Sequence, residues 1–118
     1  MTSIEAELNL VGDFLFGSPR LRAQSELGMC RSWVGLATGE LRKKLKIPGA
    51  VVQIREIHPE PYLEHTFIRV CIPQAGINYI FDGVGISRHP PVCGLEENIP
   101  HLQGSHPDML NPYLSFST

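Results

Sequence analysis

The dipeptide Pro48-Gly49 divides the chain into two parts with different hydrophobic periodicity, and this division constrains the fold more than any other feature. Proline lacks the backbone N–H that a continuing helix needs, so a helix that reaches this point must end. Apolar residues recur at helical spacing before the break, whereas segment 50–81 is rich in β-branched residues and partly alternates. We therefore predict an α+β domain in which helices precede an antiparallel sheet.

Two amphipathic helices are predicted before the break. The first spans roughly 3–15 and ends at Gly17-Ser18-Pro19. The second spans about 29–45, and its apolar face is formed by Cys30, Val34, Ala37, Leu41 and Leu45. The polar segment 20–28 between them is interpreted as a connecting loop.

Three strands are predicted after the break, at 50–57, 65–72 and 77–81, with a turn at 73–76. The chain becomes rich in glycine and proline from there on, so segment 87–118 is expected to be irregular, with one short helix. A chain of 118 residues forms one domain with a single core, and we treat 1–118 as that domain.

Composition excludes several classes of protein. A net charge of −2 argues against nucleic acid as the main partner, and no apolar stretch is long enough to span a bilayer, so no membrane partner is expected. The N-terminus does not resemble a signal peptide, and three cysteines do not make a disulfide framework. We expect a cytoplasmic protein with reduced thiols, or one exported without a cleavable signal.

Cys30, His65 and Asp82 are the candidate catalytic residues. A cysteine nucleophile must be a thiolate near neutral pH, and the partial positive charge of a helix N-terminus stabilises that anion. An imidazole then acts as base, and a third polar group fixes its tautomer. Cys30 is placed at such a terminus, His65 opens one strand and Asp82 closes the next.

The hairpin register tests the pairing of His65 with Asp82. If the turn centres between Pro73 and Gln74, the two residues lie directly opposite each other, with Cβ atoms about 5 Å apart. An imidazole–carboxylate hydrogen bond spans that distance. A slip of one or two residues would weaken the contact.

Two segments resemble the transglutaminase-like branch of the papain-like superfamily. CRSWVGLATGELRKKLKIPGAVVQI is similar to the nucleophile helix and the turn that follows it, and HTFIRVCIPQAGINYIFDGVG is similar to the strand pair that carries histidine and aspartate. The resemblance covers about residues 28–86. Phe67 stands where the family has tryptophan and Gly83 where it often has proline, so the chain looks more like compact papain-fold domains of bacterial effectors and polymorphic toxins.

The resemblance implies a papain-like core with the nucleophile helix packed on an antiparallel sheet, no cofactor, and a protein or peptide substrate. Cys30 would attack an amide carbonyl and form a thioester, leading to glutamine deamidation, proteolysis or crosslinking. The small size favours a glutamine deamidase or a toxin-like hydrolase, which implies a neutralising partner protein. Gln24, six residues before Cys30, has the offset of the oxyanion glutamine in papain-like proteases.

Simpler interpretations of the same residues remain open. Each triad member taken alone is more often structural, and Trp33 is either a core anchor or a wall of the substrate cleft. The chain could instead be a non-catalytic binding module that keeps the fold. Zinc ligands of acceptable type occur in the C-terminal segment, although without paired spacing, so no metal is assigned: Cys93, His89, His101, His106 and Asp108.

Overall fold

The computed structural model describes residues 3–60, 63–86, 88–103 and 116–118, without the side chains of 59 and 60. Within these ranges the chain forms three α-helices and a five-stranded antiparallel sheet of strand order β4-β3-β2-β1-β5, so the predicted α+β class is confirmed. The helices and strands are α1 (Ile4–Gly17), α2 (Pro19–Glu26), α3 (Cys30–Lys44), β1 (Val51–Glu60), β2 (Leu63–Ile72), β3 (Ile77–Asp82), β4 (Val92–Leu95) and β5 (Phe116–Ser117).

The sheet has a core on each face. Helix α3 packs against one face, because its apolar stripe meets alternate side chains of the central strands; the shared cluster includes Trp33, Val34, Ala37, Leu41, Val52, Ile54, Ile68 and Val70. A smaller cluster covers the opposite face and comprises Ile57, Phe67, Ile80, Ile99 and Leu102. The packing of α3 on the first of these faces holds the helix against β2.

Segment 20–28 is mostly helical, so its interpretation as a loop is wrong. Ser18 caps α2, its hydroxyl accepting a hydrogen bond from the Leu21 N–H, and Pro19 occupies the first turn. Proline suits that position because its missing N–H would have no helical partner there. The Ser-Pro pair that ends α1 therefore also begins α2.

The register of the hairpin between β2 and β3 differs from the predicted one by two residues. Ile72 pairs with Ile77 and Ile68 with Phe81, so the turn centres between Gln74 and Ala75. Gly76 adopts φ +64°, a left-handed conformation that completes the four-residue turn. His65 and Asp82 are consequently not directly opposed.

The segment after Asp82 is more regular than predicted. Strand β4 pairs with β3, β5 pairs with β1, and two one-turn 3₁₀-helices lie at Glu96–Asn98 and Pro100–Leu102. Within the described ranges, no helix is long and apolar enough to cross a membrane.

Candidate active site

Cys30 is the first residue of α3, as the sequence predicted. The preceding residue, Met29, makes no side-chain capping hydrogen bond, and the first helical bond runs from the Trp33 N–H to the Met29 carbonyl. The first-turn N–H groups therefore remain available, and the positive end of the helix dipole lies at the half-buried Cys30 thiol. This environment favours a thiolate.

His65 and Asp82 form a buried hydrogen bond. His65 Nε2 lies 2.9 Å from Asp82 Oδ2, and because a carboxylate only accepts, the imidazole donates. In the observed register the two residues are diagonal neighbours on one face of the sheet, a separation that an imidazole can cross. The contact predicted from the sequence is present, although the register assumed for it was wrong.

The Cys30 thiol and the His65 imidazole shift each other's pKa. The hydrogen bond with His65 is the largest influence on Cys30 and lowers the pKa of the thiol, against the opposing effect of partial burial. Burial alone lowers the pKa of His65, but hydrogen bonds with Asp82 and Cys30 outweigh burial and raise it to about 9. Since Nε2 faces Asp82, Nδ1 is the ring nitrogen left for the thiol. These shifts favour a thiolate–imidazolium pair.

Thr66 is a site residue that the sequence analysis missed. After the His65 imidazole, which is the largest influence, the backbone N–H and the hydroxyl of Thr66 also lower the pKa of the Cys30 thiol. Strand β2 begins at Leu63, but its pairing with β3 begins only at Ile68. Thr66 lies before that point and has no partner residue on β3. A threonine one position after the histidine carries no signal by itself, because only the packing of α3 on β2 brings it to Cys30.

Asp82 is held in place by hydrogen bonds from the backbone of the turn that follows it. Its Oδ1 accepts from the N–H groups of Val84 and Gly85 at 3.2 and 3.1 Å. Gly83 lies flat against the Trp33 indole, so a Cβ there would come within 1.7 Å of Trp33 Cε2. Trp33 is only 2% exposed and packs in the core, and its contact with substrate stays a prediction.

Gln24 stays a predicted oxyanion donor. It lies near the end of α2, where its backbone carbonyl accepts from the Met29 N–H at 3.0 Å. Its neighbours Ser25 and Glu26, and not Gln24 itself, line the groove beside Cys30. The backbone N–H of Cys30 lies at the free N-terminus of α3, beside the thiol, and can donate to an oxyanion.

An open groove of about 830 Å³ runs past the thiol and the imidazole. Cys30 and His65 both line it, so a carbonyl group of a larger molecule can reach them. Its walls also include Ser25, Glu26, Gly28, Glu64, Val84, Ile86, Arg88 and His89.

The C-terminal histidines do not form a zinc site in the part of the chain that the structure describes. There, no three His, Cys, Asp or Glu side chains converge as metal ligands. His89 and His101 stack as parallel rings 3.8 Å apart, an arrangement that serves packing. His106 and Asp108 lie outside the described residues.

No family model, curated protein or solved structure matches this chain.

Proposed function

We propose that this chain is a papain-like thiol enzyme that deamidates glutamine side chains of a protein or peptide through Cys30, His65 and Asp82. The observation that carries the proposal is the chain of polar contacts in one groove: a thiol at a helix N-terminus, an imidazole beside it, and a buried carboxylate 2.9 Å behind the imidazole. A nucleophile, a base and a group that orients the base, in this order, are the signature of nucleophilic catalysis by cysteine.

The pKa shifts support the same chemistry. The pKa of Cys30 is lowered by its hydrogen bond with His65, and the pKa of His65 is raised to about 9 by Asp82 and Cys30 against the effect of burial. Both directions favour an anionic nucleophile beside a protonated acid. Cys71 and Cys93 are half-buried as well, but burial raises the pKa of Cys93, and neither lines the groove.

The reaction proceeds in two steps. The Cys30 thiolate forms a bond to the amide carbon, the oxyanion is stabilised by the Cys30 N–H, and His65 gives its proton to the departing nitrogen, so that ammonia leaves and a thioester remains. His65, now neutral, takes a proton from water as the water attacks the thioester. The carboxylic acid is released, and the Cys30 thiolate and protonated His65 are restored.

The shape of the groove favours a side-chain amide over a peptide bond. The groove is open and its walls come from short segments around α2, α3 and the turn after Asp82, with no second domain to enclose an extended peptide among the residues described. A glutamine side chain projects from its backbone and reaches a shallow site more readily than a scissile main-chain amide does.

Acylation by p-nitrophenyl acetate tests the thiol chemistry without knowledge of the substrate. Short incubation followed by site-resolved mass spectrometry is expected to find the acetyl group on Cys30 and to find Cys71 and Cys93 unmodified. Cys30→Ala should lose the rapid release of nitrophenol. Acylation of the three cysteines at equal rates would contradict the proposal.

Incubation with β-casein then separates the products. The proposal expects ammonia release and conversion of glutamine to glutamate, both lost in Cys30→Ala. Cleaved casein with unmodified glutamines would assign the same triad to a peptidase. Casein crosslinked through glutamine–lysine bonds, with no conversion of glutamine to glutamate, would assign it to a transglutaminase.

A further inference from the structure

Arg31, the residue after Cys30, forms ion pairs with two glutamates on strands β1 and β2. It follows Cys30 in the first turn of α3, and its Nη2 atom lies 3.3 Å from Glu56 Oε1 and also contacts Glu64. Glu64 immediately precedes His65 on β2. We propose that Arg31, Glu56 and Glu64 form a clamp that positions the Cys30 thiol against the His65 imidazole, an inference that rests on the proposed thiol chemistry.

The position of Arg31 is unusual for a helix. A cation in the first turn is disfavoured by the helix dipole, and α3 has no acidic residue of its own in that turn to offset the charge. The compensating carboxylates come instead from β1 and β2. Arg31 is unfavourable for its own helix but forms ion pairs with two strands. Its position is therefore better explained by a role at the site than by helix stability.

Glu56 anchors the clamp in the sheet. Its side chain is only 10% exposed, and it pairs across the strands with Thr66, whose hydroxyl lies 3.4 Å from Glu56 Oε1. His58 Nε2 lies 3.3 Å from the other carboxylate oxygen. The backbone of Thr66 also lowers the pKa of the Cys30 thiol, so Thr66 is a neighbour of both the clamp and the thiol.

The clamp positions the side chains of the site and contributes little to the stability of the fold. The side chains of Arg31 and Glu64 are 70% and 50% exposed, and ion pairs this exposed contribute little to folding. A thiol and an imidazole, by contrast, are sensitive to small displacements, because their mutual hydrogen bond depends on distance and angle. Loss of the clamp should thus alter the reactivity of Cys30 while leaving the fold intact.

Removal of the Glu64 charge distinguishes positioning from simple electrostatics. If Glu64 acted only as a nearby negative charge, Glu64→Gln would stabilise the thiolate, lower the pKa of Cys30 and speed its alkylation at neutral pH. If Glu64 holds Arg31, the same variant weakens the thiol–imidazole pair, raises that pKa and slows alkylation. The two explanations predict changes of opposite sign.

The experiment measures iodoacetamide alkylation of Cys30 from pH 5 to 10, resolved by peptide mass spectrometry, in the full chain. We expect Glu64→Gln and Arg31→Gln to slow alkylation at neutral pH by roughly three- to tenfold and to shift its midpoint upward. Arg31→Lys should recover part of the rate. The matched control is Glu26→Gln, which removes another carboxylate from the groove but lies outside the clamp.

Each outcome decides between the two proposals. A wild-type Cys30 that reacts no faster than Cys71 or Cys93 would overturn the proposed function itself. A reactive wild-type Cys30 with Glu64→Gln equal to or faster than wild type would overturn the clamp alone. Thermal unfolding within a few degrees of wild type ensures that a slow variant is a folded one.

Discussion

His65 Nε2 donates to Asp82 Oδ2 at 2.9 Å, while Asp82 Oδ1 accepts from the backbone N–H groups of Val84 and Gly85. Both carboxylate oxygens therefore have partners inside the protein. The turn after β3 holds Asp82, and Asp82 in turn holds the imidazole in one tautomer and orientation.

Asp82→Asn should leave the fold largely intact and impair the reaction. The amide oxygen can still accept from Val84 and Gly85, but an amide nitrogen facing His65 cannot accept its proton, so the imidazole loses its preferred tautomer. We expect ammonia release from casein to fall on the order of 100-fold or more. Near wild-type release in a folded Asp82→Asn protein would show that Asp82 has no orienting role.

The pH dependence of amide turnover should have two limbs. The acid limb follows the thiol of Cys30, whose pKa is lowered mainly by its hydrogen bond with His65. The alkaline limb follows His65, whose pKa burial lowers but Asp82 and Cys30 raise to about 9, so turnover falls as pH rises through that value and the proton for the leaving nitrogen is lost. Alkylation by iodoacetamide needs no such proton and should keep its plateau above pH 9. A parallel decline of both rates would contradict this assignment.

Thr66→Val should weaken the thiolate without dismantling the site. Valine has nearly the same shape but lacks the hydroxyl that bonds to Cys30, while the backbone N–H of residue 66 remains. Loss of one such contact is worth about 1 kcal/mol, so the midpoint of Cys30 alkylation should rise by about 0.7 pH unit. Thr38→Val is the control, since its buried hydroxyl bonds to the Val34 carbonyl within α3, away from the thiol. Equal effects in the two variants would reduce the role of Thr66 to packing.

Gly83→Ala should destabilise the protein by about 1–3 kcal/mol, because the new methyl group overlaps the Trp33 indole. The displaced turn would also disturb Asp82. Trp33→Phe removes the part of the indole that the methyl meets, so the double variant should lose less stability than the two single variants together. Urea unfolding of all four proteins measures this coupling, and strict additivity would mean that the two residues do not constrain each other.

The sequence predicted which helix and strands carry Cys30, His65 and Asp82, but not the register of the hairpin or the other contacts of the site. Helical spacing of the apolar residues places Cys30 at the start of α3, and alternation in the next strands places His65 and Asp82 at adjacent strand ends. The His65–Asp82 contact tolerates the register error because a shift of two residues keeps a side chain on the same face. A shift of one would have separated them.

The hairpin register, helix α2 and the contacts of Arg31 and Thr66 could not be predicted from the local sequence. The φ of +64° at Gly76 sets the centre of the hairpin, but a glycine in a turn fits several registers. Ser18-Pro19 signals both the end of one helix and the start of the next, and only the first meaning was recognised. The contacts of Arg31 and Thr66 join α3 to strands distant in the chain, so they arise from tertiary packing.

The central claim is that Cys30 is a thiolate paired with the His65 imidazolium at neutral pH. The most direct test is the pH dependence of alkylation of Cys30, Cys71 and Cys93 by iodoacetamide in the wild-type protein, each cysteine followed separately by mass spectrometry. The account predicts that Cys30 reacts fastest at pH 7, with a midpoint below the ordinary thiol value, while Cys93 titrates above that value because burial raises its pKa. A Cys30 midpoint at or above those of the other two cysteines would contradict it.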